Sequence, residues 1–362
     1  MNIVIAAGGT GGHLYPAVAL AREFLRRDPS SHVLFVGTAR GLERRVLAHE
    51  NLALRLIAAH PFMGVGWVRA AWALATLPVG LLQALGILWT HRTDLVLGIG
   101  GYTSPPVLLA AWLMRRPRAI LEPNAYPGMA NRVLGPLAQR IFLAFEAAAS
   151  GFGQKNVRVV GTPIRQAFLE RAAERTDPSV PKGRSVLLIF GGSQGARAIN
   201  QAMVEALAAM RALGETVTII HQTGEADYPR VKAAYQSAGV AARIEPFLYD
   251  MPTVLQSADL VVSRSGAMTV AELAVCGKPA ILVPLPTAIY NHQDKNARAM
   301  EQAGAAVVLR QSDLSGTSFA NAITTLLRDR PRLEEMSRCS RSLGRTDSAA
   351  VIVNECLGLI KR

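Results

Sequence analysis

The chain is 362 residues long, half of its residues are apolar, and its formal net charge is +13. This length suits two domains of common size, and the apolar content excludes an intrinsically disordered chain. Residues 1–162 contain 16 Lys and Arg against 7 Asp and Glu, which favours an anionic partner, either a nucleic acid or an acidic membrane surface.

The first half alternates predicted strands with helical stretches, which indicates a doubly wound parallel α/β sheet. Because the chain enters an apolar strand directly, we expect no signal peptide. The three cysteines have no paired spacing, which indicates reduced thiols in a cytosolic protein. The strands of this half are predicted at 3–7, 33–36, 54–58, 94–99, 119–121 and 140–143.

Two glycine loops follow strands of the first half, Gly8-Gly9-Thr10-Gly11-Gly12-His13 and Gly100-Gly101-Tyr102. Doubly wound sheets bind ligands at the carboxyl ends of their strands, so both loops are candidate ligand sites. The first loop lacks the GxGxxG spacing and no acid follows the second strand, which disfavours NAD. His13 either exchanges a proton near a bound ligand or orients the loop as a neutral hydrogen-bond donor.

A long uncharged segment, from Ala70 to Thr90, separates the third and fourth strands. It is long enough to cross a bilayer, but one proline and two glycines interrupt it and it joins two strands of one sheet. We therefore predict a crossover helix, or two short ones. Its surroundings indicate either a membrane-surface contact or an ordinary buried helix with surface arginines. The aromatic and basic residues concerned are Trp67, Trp72, Trp89, Trp112, Arg69, Arg92, Arg115, Arg116 and Arg118.

Glu122-Pro123-Asn124 brings an acid and an amide to the same sheet edge as the first glycine loop. Beyond it, Gly161-Thr162-Pro163 has the glycine and proline that are typical of a linker. We therefore predict a domain boundary here, with one domain at 1–162 and a second domain that begins at residue 163. Arg165 lies just past the linker, where it could reach a diphosphate.

The second half repeats the alternation of predicted strands and helices. Its first strand is connected to a helix by Gly191-Gly192-Ser193-Gln194-Gly195. Glycines, a hydroxyl and unpaired N–H groups at a helix N-terminus can hold a phosphate; alternatively, the glycines only make a tight turn. Because the first half contains a similar loop, we expect two similar halves that face each other across a cleft. The strands are predicted at 186–190, 217–221, 242–245, 260–262, 280–283 and 306–309.

Two more turns of the second half carry polar groups. Ser263-Arg264-Ser265-Gly266 precedes a predicted helix whose N–H groups could contact an anion. Glu272, further along this helix, either binds the hydroxyls of a ribose or is a solvated helix residue. The stretch from Pro284 to Ala297 is a proline-containing loop that leads into a helix, with polar side chains that could bind a sugar.

Five motifs in this order resemble the MurG family, the peptidoglycan N-acetylglucosaminyltransferases: the three glycine loops, Ser263 to Thr269, and His292-Gln293 with Asn296-Ala297. The resemblance covers nearly the whole chain. It implies a GT-B architecture of two Rossmann-like domains, an acceptor-binding, membrane-associating N-terminal domain and a UDP-sugar-binding C-terminal domain. The resemblance also implies that the C-terminal domain ends at residue 345 (163–345) and that the last helix, at 346–362, crosses back to the N-terminal domain.

The resemblance also implies an activity. An inverting transferase of this family moves N-acetylglucosamine from UDP-N-acetylglucosamine to the C4 hydroxyl of undecaprenyl-pyrophosphoryl-N-acetylmuramoyl-pentapeptide, at the cytoplasmic face of the bacterial membrane. The implied partners are the nucleotide sugar, the polyprenyl-linked acceptor and an anionic membrane surface, with no nucleic acid. The nearest alternatives are another GT-B transferase with a lipid acceptor and a UDP-sugar epimerase.

Site residues follow from the resemblance and from position. His13 is the favoured base on the acceptor side, and Glu122 is the second candidate or a brace for the loop that carries Asn124. Leu248 would read the uracil through its backbone, and Glu272 would hold the ribose. The implied donor contacts are Thr10, Gly11, Gly12, Asn124, Arg165, Ser193, Leu248, Ala267, Met268, Thr269, Val270, Ala271, Glu272 and Gln293.

The sequence contains no Asp-x-Asp, so we expect neither a metal nor another cofactor. The charge of the leaving diphosphate would instead be stabilised by the helix N-terminus after Gly195, by Ser193 and by Arg165. One departure from the family is visible. Leu121 and Pro123 replace its usual histidine and glutamine, so no role in acceptor binding is carried over to those two positions.

Overall fold

The computed structural model describes residues 1–8, 11–38, 43–60, 66–153, 156–171, 183–192 and 195–360. The chain divides into two compact units, Met1–Arg165 with Arg345–Arg362, and Gln166–Gly344. In the described residues each unit contains one parallel β-sheet with helices on both faces. The fold class predicted from the alternating pattern is confirmed.

The sheet of the first unit has the strand order β3-β2-β1-β4-β5-β6-β7. Its strands are β1 (Asn2–Ala7), β2 (His32–Gly37), β3 (Ala53–Leu56), β4 (Leu95–Gly100), β5 (Arg118–Glu122), β6 (Arg140–Leu143) and β7 (Val157–Val159). Its helices are α1 (Gly11–Arg27), α2 (Glu43–His49), α3 (Trp67–Thr90), α4 (Ser104–Leu113), α5 (Met129–Leu134) and, near the end of the chain, α14 (Ser348–Ile360).

Six of these strands lie within two residues of their predicted positions. The edge strand β7 was not predicted, because three residues with an arginine in the middle give no recognisable apolar run. The central strands are apolar on both faces, as expected for a parallel sheet covered by helices on both sides. One face packs against α1 and α14, and the other against α3 and α4.

The C-terminal helix α14 is an integral part of the first unit. Ile352, Val353 and Cys356 are fully buried in the core that includes α1 and the central strands. At the sheet edge, Glu355 forms ion pairs with Arg140 of β6 and Arg158 of β7. Apolar burial and these ion pairs together hold the helix against the sheet.

The uncharged segment forms one continuous helix, α3, with Pro78 inside it. Of the two predicted forms, a single crossover helix is therefore the observed one. No helix in the described part of the chain is long and apolar enough to cross a membrane.

The sheet of the second unit has the order β10-β9-β8-β11-β12-β13. Its strands are β8 (Ser185–Phe190), β9 (Val217–Gln222), β10 (Ala242–Glu245), β11 (Leu260–Ser263), β12 (Ala280–Leu282) and β13 (Ala306–Val308), each within one residue of the prediction. The helices are α6 (Gln166–Arg171), α7 (Arg197–Arg211), α8 (Tyr228–Ala238), α9 (Met251–Ser257), α10 (Ala267–Cys276), α11 (His292–Gln302), α12 (Gly316–Arg328) and α13 (Arg330–Leu343).

Both sheets reverse their strand order at one point, between β1 and β4 in the first unit and between β8 and β11 in the second. In doubly wound sheets the ligand binds at the carboxyl ends of the strands beside such a switch point. The glycine loops after β1 and β4, and the loops after β8 and β11, begin at these ends. The fold therefore supports the candidate loops chosen from the sequence.

Candidate active site

The end of β4 lies directly against the loop that follows β1. Gly101 has a φ of +74°, and a Cβ added to it would be 2.3 Å from the carbonyl oxygen of Gly8. Only glycine fits this close approach of two backbones. A Cβ added to the neighbouring Gly100 would be 3.3 Å from Nε2 of His13. The imidazole of His13, in the first turn of α1, thus lies over the end of β4.

Ser104, the first residue of α4, fixes this junction from below. Its fully buried hydroxyl oxygen accepts the N–H of Gly100 over 3.0 Å. The same oxygen lies 2.8 Å from the carbonyl oxygen of Gly100 and 3.1 Å from that of Ala6. The side chain therefore connects the ends of β1 and β4, and the sequence-based reasoning did not identify it.

Glu122, the last residue of β5, has a side chain that is only 1% exposed. Its Oε1 accepts the backbone N–H and the side-chain NH₂ of Asn124, over 3.0 and 3.1 Å. Its Oε2 accepts the N–H of Gly128 and the NH₂ of Asn131, each over 2.9 Å. Burial raises the pKa of Glu122, while these four donors act in the opposite direction.

Four N–H donors from the loop at 124–131 occupy the acceptor positions of the Glu122 carboxylate. Of its two predicted roles, this geometry favours the brace, because a base must reach a proton of the substrate. Asn131 is 1% exposed and was not identified from the sequence. The only available signal was indirect, since a buried acid after an apolar strand needs nearby donors.

Arg165 is the last residue of the first unit and lies beside α1. Its guanidinium carbon is 4.7 Å from the centroid of the Tyr15 ring, within the range of a cation–π contact. Tyr15 is two residues after His13 on α1. One helix therefore carries both His13, the candidate base, and the ring that contacts Arg165, the candidate diphosphate-binding residue. Tyr15 was not identified from the sequence.

Gly11 and Gly12 are the first two residues of α1, so they contribute N–H groups at its N-terminus. Two further residues predicted to contact the donor, Thr10 and Ser193, lie outside the described residues. Within the described part of the chain, no group of three or more His, Cys, Asp or Glu side chains is arranged to hold a metal ion.

In the second unit, the loop after β8 is held by the neighbouring strand β9. A Cβ on Gly195, whose φ is +75°, would be 1.9 Å from the carbonyl oxygen of Thr223. The carbonyl of Gly192 accepts two hydrogen bonds, from the side chain of Gln222 over 2.8 Å and from the N–H of Gly195 over 2.9 Å. The helix α7 begins at Arg197, immediately after this loop.

The loop after β11 is connected to the segment that carries Gln293. The hydroxyl of Ser265 donates to the carbonyl oxygen of Gln293 over 2.8 Å, and the amide of Asn296 donates to the carbonyl oxygen of Ser265 over 3.1 Å. The side-chain oxygen of Gln293 accepts the N–H of Leu285 over 3.0 Å. This bond orients the amide of Gln293 so that its nitrogen is the group able to donate to a sugar hydroxyl.

The residues predicted to bind the donor along α10 differ in exposure. Ala267, Met268, Val270 and Glu272 are buried, whereas Thr269 and Ala271 are half-buried. Gly266 is the N-cap of α10, so Ala267 and Met268 can offer N–H groups rather than side chains. Glu272 is 8% exposed, which disagrees with the alternative that it is a solvated helix residue.

Leu248 follows β10, and its side chain is 3% exposed. What it can present to a base is therefore its backbone, as the resemblance implies. The rings on either side of it, Phe247 and Tyr249, make an edge-to-face contact with centroids 4.9 Å apart. Tyr249 is otherwise 90% exposed.

Comparison with known proteins gives matches in both units. Residues 3–143 match the family model described as the N-terminal domain of glycosyltransferase family 28, and residues 186–352 match the model of its C-terminal domain. A UDP-N-acetylglucosamine–N-acetylmuramyl-(pentapeptide) pyrophosphoryl-undecaprenol N-acetylglucosamine transferase from Syntrophus aciditrophicus is 42% identical, with 100% of this chain and 99% of the relative covered.

Solved structures show the same relationship. The crystal structure of Acinetobacter baumannii MurG matches with a TM-score of 0.80 and 29% identity, over 99% of this chain and 100% of that one. A UDP-GlcNAc 2-epimerase from Neisseria meningitidis matches with a TM-score of 0.71 but only 16% identity, over 98% of this chain and 100% of that one. The epimerase likeness concerns the fold alone.

Two doubly wound sheets, each with a glycine loop at its switch point, together with these matches define a nucleotide-sugar glycosyltransferase of the GT-B class. The chain belongs to glycosyltransferase family 28 and, within it, to the MurG family.

Proposed function

We propose that this chain transfers N-acetylglucosamine from UDP-N-acetylglucosamine to the C4 hydroxyl of undecaprenyl-pyrophosphoryl-N-acetylmuramoyl-pentapeptide. The observation that carries the proposal is 42% identity to a transferase of that description along the whole chain. Similarity at this level extends over both units, so it includes the donor half and the acceptor half alike. An epimerase shares only the fold.

The second unit binds most of the donor in this proposal. The base is read by the backbone of Leu248, and the ribose hydroxyls are held by Glu272, which is the carboxylate on α10. The diphosphate lies at the glycine loop with Ser193 and the N-terminus of α7, where backbone N–H groups favour negative charge. Gln293 donates to the sugar, and Thr10, Gly11, Gly12, Asn124 and Arg165 contribute from the first unit.

The acceptor side contains the base. Inversion by a single displacement needs no covalent enzyme intermediate: the C4 oxygen of the acceptor attacks C1 as its proton passes to a base, and UDP leaves from the opposite face. His13 is the candidate that the geometry supports, because its imidazole lies at the switch point of the first sheet. Glu122 acts as a brace that orients Asn124 through two hydrogen bonds.

The first unit also provides the membrane contact. On α3, the large apolar side chains that are exposed among those the structure describes fall within an arc of about 140° at 3.6 residues per turn. The exposed fractions are Trp67 84%, Trp72 64%, Val79 49%, Leu82 69% and Trp89 74%. Leu81 lies outside this arc, is half-buried and packs against the core.

Arginines accompany this apolar face at one end. Arg92 follows α3 and Arg115 follows α4, both are exposed, and both have positive φ, of 49° and 54°. Each stands three residues after an exposed tryptophan, Trp89 or Trp112. Aromatic side chains with adjacent cations suit the interface of an anionic bilayer, to which each arginine contributes about 1 kcal/mol. A polyprenyl acceptor stays in the bilayer, so the proposed enzyme binds at its cytoplasmic surface.

The direct test is an assay of UDP release and product formation with purified full-length protein. We expect UDP release from UDP-N-acetylglucosamine to depend on the polyprenyl acceptor, and the product to contain a new β-linked N-acetylglucosamine. Activity should persist in excess EDTA if fixed N–H donors and Arg165 stabilise the diphosphate. Formation of an epimeric UDP-sugar without acceptor would instead support an epimerase and contradict the proposal.

A further inference from the structure

The last residue of β9, Gln222, reaches across to the glycine loop that follows β8. Its side chain is 2% exposed and donates to the carbonyl oxygen of Gly192 over 2.8 Å. The N–H of Gly195 donates to the same oxygen over 2.9 Å. A glycine backbone has many accessible conformations, so these two hydrogen bonds, and not the residue itself, fix the orientation of the Gly192 carbonyl.

The two bonds to the Gly192 carbonyl close the turn between Gly192 and Gly195, and α7 begins two residues later at Arg197. In the proposed function, the unpaired N–H groups of the first turn of α7 are donors to the diphosphate. The strength of an N–H bond to a phosphate depends on its direction, so the conformation of this turn affects how well a diphosphate is bound.

The two residues after Gln222 connect this loop to the segment that carries Leu248. The carbonyl of Thr223 is in contact with the backbone of Gly195. On its other side, the N–H of Thr223 donates to the backbone carbonyl of Glu245 over 3.0 Å, and the N–H of Gly224 donates to the carbonyl of Pro246 over 3.1 Å. Residues 222–224 therefore lie between the diphosphate loop and the base-reading backbone and are bonded to both.

A buried polar network keeps residues 222–224 in place. The amide nitrogen of Asn200 donates to the carbonyl of Thr223 over 2.9 Å and to Asp227 over 2.8 Å. The oxygen of Asn200 lies 3.1 Å from Nε2 of His221, whose Nδ1 lies 3.1 Å from the hydroxyl of Tyr235. Since Asn200 uses its nitrogen elsewhere, His221 must carry its proton on Nε2 and accept from Tyr235. The network is fully bonded and holds one arrangement.

We infer that Gln222 is a positioning residue for the diphosphate, and that residues 222–224 set the spacing between the diphosphate loop and the backbone that reads the base. This inference rests on the proposed function, because it takes the ligand to be a uridine diphosphate sugar. A nucleoside contacts only the backbone that reads the base, whereas a nucleoside diphosphate also contacts the diphosphate loop. Loss of the Gln222 bond should therefore affect UDP and not uridine.

The test is calorimetric titration of the full-length protein with UDP and, separately, with uridine. Gln222→Met keeps the length and volume of the side chain but removes the donor. We expect it to raise the Kd of UDP about tenfold, the effect of one hydrogen bond, and to change the Kd of uridine by less than about twofold. The matched control is Thr218→Val, about 13 Å earlier on the same strand, which should change neither.

Three results would overturn the inference. The inference is wrong if Gln222→Met binds UDP as tightly as the wild type. It is also wrong if the Kd values of UDP and uridine rise by the same factor, which would make Gln222 a general support of the unit. If the wild type binds no UDP, the proposed function is wrong and the inference falls with it. Should Gln222→Met fail to fold, Gln222→Glu retains the shape, places an oxygen against the Gly192 carbonyl, and should weaken UDP binding by at least as much.

Discussion

The guanidinium carbon of Arg165 lies 4.7 Å above the ring of Tyr15. The two residues are 150 positions apart in the sequence, and the contact places the arginine beside the first turns of α1, the helix that carries His13. An arginine that must meet a diphosphate benefits from a fixed position, since less side-chain freedom is lost when the ligand binds. The stacking contact supplies such a position without using any of the N–H donors of the guanidinium.

The first prediction concerns this contact. Tyr15→Leu should lower kcat/KM for UDP-N-acetylglucosamine about two- to thirtyfold, because a cation–π contact contributes about 0.5–2 kcal/mol. Tyr15→Phe keeps the aromatic face and should stay within about twofold of the wild type. Steady-state kinetics with varied donor measures both. Equal activity of the Leu and Phe variants would show that the ring does not position Arg165.

The second prediction concerns Glu122. In the wild type, each carboxylate oxygen of Glu122 accepts two N–H donors. Glu122→Gln replaces one of these oxygens by an NH₂ group, which leaves its two donors without an acceptor, so the free energy of unfolding should fall by about 1–3 kcal/mol. Thermal unfolding measures the loss, and the exposed Glu146→Gln in the same unit is the control. A variant that is as stable as the wild type but has lost about 100-fold in kcat would instead identify Glu122 as the base.

The third prediction concerns His13. If its imidazole is the base, His13→Ala should lower kcat by about 100- to 10,000-fold while both KM values change little. A histidine that only orients the glycine loop would act mainly on KM. His49→Ala, at an exposed position at the end of α2, is the matched control. A kcat within a few fold of the wild type would remove His13 from the chemical step.

The fourth prediction concerns the apolar face of α3. Replacing both Trp72 and Leu82 by Glu should abolish co-sedimentation with vesicles that contain anionic lipid, because it removes two exposed apolar side chains and adds two negative charges. Leu81→Glu is unsuitable, since that side chain packs against the core. Tyr249→Glu changes a more exposed aromatic residue in the other unit and should bind vesicles normally. Normal binding by the α3 variant would show that another surface meets the membrane.

The fifth prediction concerns pH. Burial lowers the pKa of His221 from 6.5 to about 3. In the unfolded chain this histidine is protonated below about pH 6.5, whereas in the folded chain it stays neutral down to about pH 3. The free energy of unfolding therefore falls as the pH drops through this window. The slope is up to about 1.4 kcal/mol per pH unit. Urea unfolding between about pH 6 and pH 4 should show a shallower slope for His221→Gln, and an unchanged slope for the exposed His49→Gln.

The fold and most of the site loops could be predicted from the sequence because their signals are local. An apolar run followed by glycines and a helical stretch is contiguous, so both sheets and the positions of the loops after β1, β4, β8 and β11 were predicted. The resemblance to the MurG family was readable for the same reason, since each of its motifs is a short segment. The uncharged stretch of α3 likewise identified the helix that carries the exposed tryptophans.

Only the tertiary structure decided which side chains support those loops and which face of a helix is exposed. Gln222, Asn131 and Ser104 act through hydrogen bonds to groups that belong to other segments, and no local pattern distinguishes them from ordinary polar residues at strand or helix ends. The difference between Leu81 and Leu82 has the same origin. In an apolar helix without polar neighbours the periodicity does not mark an inner face, so the packing of α3 against the sheet and α4 alone determines it.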